Sequence, residues 1–578
     1  MINVFLKANT VTTDILIIGA GGAGLFAAIQ AAEQDVEVLV TTKGPFGKDG
    51  AATWMAGWGF NAAVYEPDSP ELHAQDTLRV GQGLNNEDLV IKLTANAPNV
   101  FECMRHWGVR YFRHEGMILQ NHLPGHTYAR TPRLARPAGM GGLEYRRVLP
   151  KQAKKRSNIK ILDDFYILEI LQKNSIVCGA VGFHLPTGEF QIIKAKVTVL
   201  AAGGMMGNYR FTSASPTLTG DGLAMAFRAG VELIDMEFAD FYTNCVVWPP
   251  LMYGDLDWIA NLRYDLRGIF YNKKGDEFLR RQKGSLISIP VAIQREIQEN
   301  RGSPHGGVYL SFRHLPGNLI DDWFAEAGSL KWVERLYEFN IDIKRNAVEV
   351  APAPLESLGG CRVNSDLETN IPGLLAAGEV AGGCEGAYTL AGNPICLYLT
   401  TGYLAGLKAA NLARELPLLD FEREQGDEVV HEAMMVRERH GEERPISLRR
   451  ELQELLDHCG HLLGRNEDSL TAGIKKVREL RERWNVVGLS YKMPRNNLEW
   501  LEALQLKNSL EITEVFLKAA LSRKESRGLH YREDYPEPDP AWIKNIVLVR
   551  DAQGNIEVKI EPVHSKATGC GRGVEGVS

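Results

Sequence analysis

Residues 14–40, "DILIIGAGGAGLFAAIQAAEQDVEVLV", decide the fold. Ile15 to Ile18 form an unbroken apolar run, the pattern of a parallel strand buried on both faces. Gly19, Gly21 and Gly24 follow as G-x-G-x-x-G. An alanine-rich helix is predicted from Gly22 to about Gln34, and "VEVLV" reads as a second strand. Together they make a βαβ dinucleotide-binding unit. Gly19 makes the turn. Gly21 lets a pyrophosphate approach the free N–H groups and positive dipole end of the helix, and Gly24 lets helix and strand pack closely. The second strand of such units usually ends in an acid that grips a ribose. Here it ends in Thr41-Thr42-Lys43, so a hydroxyl and a lysine take that place.

Outward from this unit, 578 residues are too many for one core and predict two to four domains. A hydrophobic fraction of 44% and a charged fraction of 24% are those of a globular protein. A net charge of -7 argues against nucleic acid as a partner. Eight scattered cysteines contain no C-x-x-C, which argues against a zinc or iron–sulfur site in this chain, so no metal ligands are expected. No signal peptide and no bilayer-spanning run are read. The expected location is cytoplasmic, at a membrane only through a partner.

The fold class expected is α/β, and the family resemblance set out below implies its particulars: a Rossmann-like two-part FAD-binding domain with an inserted α+β capping domain, then a helical domain and a small C-terminal region. Dinucleotide-type sequence resumes at "GLLAAGEVAG" after a mixed, aromatic-rich segment, which places the insertion. The expected boundaries are 1–235 and 349–415 for the two FAD parts, 236–348 for the cap, 416–535 for the helices and 536–578 for the C-terminal region. That last region holds a predicted strand, "IEVKIEP", and a glycine-rich tail expected to be disordered.

Four stretches in order resemble the flavoprotein subunits of succinate dehydrogenase and fumarate reductase, a superfamily that includes L-aspartate oxidase and the flavin subunit of adenylylsulfate reductase. They are "DILIIGAGGAGLFAAIQAA", "TVLAAGG…TSASPTLTGDGLAMAFRAG", "PGLLAAGEVAGG" and "ALSRKESRGLHYREDYPEPD". The resemblance implies FAD. It places Gly19, Ala20, Gly21, Gly22, Ala23 and Gly24 at the pyrophosphate and Thr42 and Lys43 near the adenosine. Ala201 and Gly203 fall at the end of the buried strand that precedes Asp221. Asp221 and Glu379 fall on ribityl and sugar hydroxyls, Asp221 having a helix N-cap as its other reading. Gly50, Ala51, Ala52, Thr53, Gly57 and Gly59 lie in the loop over the isoalloxazine. Members with covalent FAD carry a histidine where this sequence has Ala52, so the FAD is expected to be non-covalent. Asn393-Pro394 is read as N-cap and first residue of a helix, with Ile395 on its core side, whose N-terminus faces the flavin pyrimidine ring.

The substrate residues of the resembled enzymes do not carry over. Tyr242, Leu355, Glu385 and Thr389 stand where those enzymes have histidines and an arginine, and Ile289-Pro290 where the acid-donating pair falls. The resemblance therefore argues against dicarboxylate chemistry, and adenylylsulfate reductase also fits poorly. The remaining candidates are Tyr242 and Glu385 for proton transfer, Thr389 beside them, and Arg263 and Arg267 on the cap. His126 and Arg130 are candidates as a handle for an anionic tail. The plain alternatives are core packing for Tyr242, an ion pair with Asp265 or Glu277 for the cap arginines, and a solvated charged face around His126 and Arg130. The leading expectation is an FAD-dependent oxidoreductase that exchanges a hydride with a small organic molecule and passes electrons to or from an iron–sulfur or ferredoxin-like partner. The alternatives are a stand-alone flavin oxidase, a flavin subunit like that of adenylylsulfate reductase, or a non-catalytic electron-transfer subunit.

Overall fold

The computed structural model describes residues 8–51, 59–136, 140–254, 257–279, 289–327, 330–420 and 423–564. Strand β1 (Asn9–Ile18) runs parallel to β2 (Val38–Thr41), and helix α1 (Gly22–Ala32) connects them. Ile15 to Ile18 are buried, as their apolar run requires. Helices α2 (Pro70–Val80) and α3 (Glu87–His106) start on Ser69 and Asn86, whose side chains accept the Leu72 and Leu89 N–H groups. Helix α4 (Gly142–Lys154) leads to β3 (Ile159–Leu162), parallel to β2. Then β4 (Phe165–Lys173), β5 (Ile176–His184) and β6 (Glu189–Leu200) form an antiparallel meander. The last of these also pairs in parallel with β1 over almost its whole length.

Helix α5 (Asp221–Arg228) and the short β7 (Leu233–Ile234) precede the inserted unit. That unit contains β8 (Ala239–Trp248), α6 (Asp257–Leu266), β9 (Ile269–Tyr271), α7 (Ile289–Gln298), β10 (Val308–Ser311), α8 (Gly317–Ala327), α9 (Leu330–Glu338) and β11 (Val348–Ser357). Its antiparallel sheet runs β8-β11-β10-β9 and has its own core, around Phe270, Ile293, Leu310 and Val350. The sheet reaches Ser357, so the cap is continued beyond residue 348 by a strand that leads straight back to the cofactor domain.

Strands β12 (Gly360–Arg362), β13 (Leu374–Ala376) and β14 (Ala381–Gly382) return the chain, β13 pairing with β6 to complete the seven-stranded main sheet. Helix α10 (Asn393–Glu415) then lies on α1. A Cβ at Gly402 would stand 2.3 Å from the Ala23 carbonyl, and one at Gly406 2.4 Å from that of Ala27, so two glycines set how closely these helices approach. Helices α11 (Arg423–Glu438), α12 (Pro445–Leu455), α13 (Glu467–Trp484) and α14 (Leu498–Ser522) follow. The terminal hairpin, β15 (Lys544–Arg550) and β16 (Ile556–Pro562), joins β7, β12 and β14 in one five-stranded sheet, so the C-terminal region is built into the cofactor domain. The glycine-rich tail lies outside the described residues. No helix among them is long and apolar enough to cross a membrane.

Candidate functional site: a flavin cradle with an acidic flank

The C-terminal ends of β1 and β6 and the N-terminus of α1 face one cavity of about 910 Å³. It is lined by Gly19, Ala20, Gly21, Gly22 and Ala23, by Thr42 and Lys43, by Gly50 and Ala51, and by Ala201, Gly203, Asp221 and Glu379. The glycines divide by task. Gly19 sits at φ +110°, and a Cβ there would strike the Ala201 carbonyl at 2.2 Å. A Cβ at Gly24 would strike the Gly19 carbonyl at 1.9 Å, so Gly24 serves packing behind the cavity. A Cβ at Gly21 would meet nothing within 4 Å. The free space at Gly21, at a helix N-terminus, fits a bound pyrophosphate. Gly50, at φ +94°, brings the following loop to within a Cβ contact of 3.1 Å from Gly21 Cα, closing the cradle from above.

Asp221 is the first residue of α5 and does not cap it; Gly220 does, at φ +81°. Its carboxylate instead gathers four donors. Lys43 Nζ and Thr219 Oγ1 reach Oδ2 at 2.6 and 2.8 Å, and Tyr166 Oη and Asn508 Nδ2 reach Oδ1 at 2.9 Å each. Burial works against ionisation, but the lysine and these hydrogen bonds win and hold its pKa below the ordinary carboxylate value. Lys43 is thereby tied to Asp221 by an ion pair and lines the cavity beside it, where the sequence places it near the adenosine. Glu379 takes the Ser357 N–H at 2.9 Å, and burial pushes it up to about 7.

Gly24, Gly59, Asn393 and Ile395, also expected at the cofactor, are not among the residues that line this cavity. Ala52, Thr53 and Gly57 fall outside the described residues. Gly59 is buried against β-bridged backbone, its would-be Cβ 2.1 Å from the Pro132 carbonyl, which accounts for that glycine without a cofactor. Asn393 does not cap α10. Gly392, left-handed at φ +82°, takes that position. The Asn393 side chain turns to α2 instead, donating to Thr77 Oγ1 at 2.8 Å and accepting from Asn61 Nδ2 at 2.9 Å, with His73 Nε2 at 2.7 Å. It anchors the start of the helix rather than terminating it. Ile395, two residues on, is partly buried against the main core.

The substrate candidates separate clearly. Arg130 is fully buried, held by Asp68 at 2.9 Å and Asp76 at 2.9 Å. His126 is buried, with Nε2 2.7 Å from the Ala391 carbonyl, and burial lowers it to about 4, so it is neutral. His126 holds the turn at Ala391 and Arg130 is charge-balanced by two aspartates, while Arg130 Nη1 and His126 Nδ1 keep no hydrogen-bond partner among the described residues. Arg136 pairs with Glu144 at 2.8 Å, and Arg133 stands 3.4 Å from Glu326. Arg267 is exposed, left-handed at φ +52°, at the end of α6. Arg263 is held within the cap, its guanidinium over the rings of Tyr264 and Phe270 at 4.8 and 4.9 Å. Asp265 takes the Trp323 indole N–H at 2.7 Å, and its ion pair with Arg263, one of the plain alternatives, is not seen among the described residues. Tyr242 is half-buried on β8 and packs with Phe211 and Leu355.

Thr389 and Glu385 are buried, and Glu385 is the more telling of the two. It is 1% exposed, and neither carboxylate oxygen has a hydrogen-bond partner among the described residues. Burial first, and nearby Asp240 with it, push its pKa up against an opposing pull from the Thr389 hydroxyl, which is turned to the Leu390 carbonyl at 3.5 Å. Two further acids stand with it. Asp240 on β8 and Glu356 on β11 are direct partners in the ladder. Glu356 Oε2 accepts the Tyr398 hydroxyl at 3.0 Å, and Tyr398 also lines the cofactor cavity. Sequence reading missed Asp240, Glu356, Tyr398, Tyr166 and Asn508. The available signal was an acid set singly among apolar residues in "EFADF", "PLESL" and "GCEGA". Among the described residues no cluster is arranged to hold a metal ion.

Cradle and sheet together define an FAD-dependent oxidoreductase fold with an inserted cap. The chain matches the FAD binding domain family over residues 14–395 and the fumarate reductase flavoprotein C-terminal family over 449–571. It belongs to the fumarate reductase/succinate dehydrogenase flavoprotein family, and its cofactor is FAD. It is 34% identical to one subunit of the CoM/CoB fumarate reductase of Methanothermobacter marburgensis over 556 residues, 94% of this chain and 98% of that one. Mycobacterium smegmatis Sdh1 superimposes with a TM-score of 0.86 at 32% identity, covering 96% of this chain and 95% of that one. E. coli quinol fumarate reductase gives 0.89 at 26% identity, covering 98% and 99%.

Proposed function

We propose that this flavoprotein exchanges a hydride between FAD and an organic substrate whose reacting end is not a dicarboxylate, and passes the electrons to or from an iron–sulfur partner. The charge of the flank carries this reading. Dicarboxylate turnover needs fixed cations that polarise the substrate as charge develops. In place of such a clamp stand Tyr242, Leu355, Thr389 and three buried acids. On this reading Arg263, near the partly exposed Tyr264 and Tyr388, is left to orient a carbonyl or a single anionic group. Bound FAD supplies the hydride-accepting chemistry. Lys43, Asp221 and the Gly19–Gly24 turn hold it in place.

Support for a partner is that relatives are themselves named as subunits, such as the fumarate reductase flavoprotein subunit of Mycobacterium tuberculosis. The direct test is anaerobic photoreduction followed by addition of unsaturated thioesters, unsaturated acids and sulfur compounds, reading reoxidation of the flavin absorbance. Reoxidation by a thioester or sulfur compound and inertness to fumarate are expected. Rapid reoxidation by fumarate would defeat the substrate reading. Stoichiometric hydrogen peroxide on substrate addition, with no partner in native extract, would make it a stand-alone oxidase.

A further inference from the structure

Asp240, Glu356 and Glu385 are not among the residues that line the cofactor cavity. They come from β8, β11 and the loop before α10, and are 5%, 5% and 1% exposed. Asp240 and Glu356 face each other across an antiparallel ladder, a geometry that sets Cβ atoms about 4.5–5.5 Å apart on one face. Four of the groups around them come from the neighbouring elements: Tyr398 and Cys396 of α10, Cys384 beside Glu385, and Glu379 at the cavity wall. Tyr388, on the same loop as Glu385, and Tyr264 and Arg263 of the cap lie on another side, and Arg130 acts on Cys396. Among the described residues no lysine or arginine forms an ion pair with any of the three acids. Glu356 Oε1 and both Glu385 oxygens lack hydrogen-bond partners, and so do both polar atoms of the Asn244 side chain, 0% exposed on the same strand as Asp240. Three neighbouring buried carboxylates with no ion-paired cation do not all ionise, because burial and mutual repulsion both favour the neutral form.

We infer that Asp240, Glu356 and Glu385 form a proton store whose occupancy is tied to the charge in the cofactor cavity through Tyr398. Reducing FAD adds negative charge to that cavity. Added negative charge disfavours the ionised carboxylates, so a proton moves from solvent onto a carboxylate oxygen and offsets part of it. It is released when the electrons leave. Tyr398 lines the cavity and its hydroxyl donates to Glu356, which makes this side chain the link between the two. The inference rests on the cofactor and holds whatever the substrate is.

The test is a potentiometric titration of the FAD midpoint in the holoprotein from about pH 6 to about pH 9, a range that brackets the ordinary His and Cys values. Each further proton taken up with two electrons steepens the midpoint by about 30 mV per pH unit. Wild type is expected to be steeper than the Asp240→Asn/Glu385→Gln double variant by up to that amount. Tyr398→Phe is expected to fall between them while retaining FAD. Equal slopes in wild type and double variant would overturn the store. Redox-difference infrared spectra of wild type alone keep the question answerable if the variants do not fold. A protonated-carboxyl band that grows on reduction is expected, and its absence would refute the proposal.

Discussion

Gly21 and Gly24 share one motif, yet their surroundings predict opposite phenotypes for the same substitution. Gly21 lies at φ −69° and ψ −173°, which any residue adopts, and its Cβ would meet nothing within 4 Å. Gly21→Ala should therefore leave the flavin-free chain as stable as wild type, or more so by up to about 1 kcal/mol, since alanine restricts the unfolded chain. The added methyl occupies the space through which a pyrophosphate approaches the first N–H groups of α1. Loss of one hydrogen bond to a charged group costs about 1.5–3 kcal/mol, or roughly a 10- to 140-fold rise in the Kd for FAD. In Gly24→Ala the methyl stands 1.9 Å from the Gly19 carbonyl, which is backbone and cannot swing aside. Overpacking of this kind costs about 1–3 kcal/mol or more. Gly24→Ala should lower the melting temperature first and lose FAD as a consequence. Thermal melts of the flavin-free proteins, paired with fluorescence titrations of FAD, separate the two. Wild-type FAD affinity in Gly21→Ala, or melting as early as Gly24→Ala, would show that the space at Gly21 is not the pyrophosphate site.

Three further outcomes follow from the same geometry. Arg130→Ala strands the buried Asp68 and Asp76 without their partner and should cost about 3–5 kcal/mol; a stable variant whose only defect is a raised KM would restore Arg130 to the substrate site. Glu379 has a folded pKa of about 7, above its unfolded value near 4.3, so the folded flavin-free chain holds that proton more tightly and its stability should fall as pH rises between those values. Melts at stepped pH should show this slope flattened in Glu379→Gln, and an unchanged slope would assign it to other groups. Acid precipitation should release all the FAD into the supernatant, given Ala52 in place of an attachment histidine, and flavin fluorescence in the pellet would disprove non-covalent binding.

The cofactor domain was legible because its determinants are local. A strand, a glycine turn and a helix lie within residues 14–40, and most of what each glycine must accommodate is a neighbour within the motif or the ligand itself. The Asn393 cap was misread for the same reason: Asn-Pro is a sound local signal, but its side chain is claimed by Thr77, Asn61 and His73, which sequence spacing does not reveal. The acidic flank was illegible because it exists only after β8 pairs with β11 and places Asp240 opposite Glu356. From sequence alone the substrate region could be described only by the bases it lacks. On the proposed reading, the three acids buried beside this region supply no cation of their own, and a substrate turned over there would be expected to present a thioester, ketone or sulfur centre rather than a second carboxylate, because fixed positive charge is what a developing dicarboxylate charge requires.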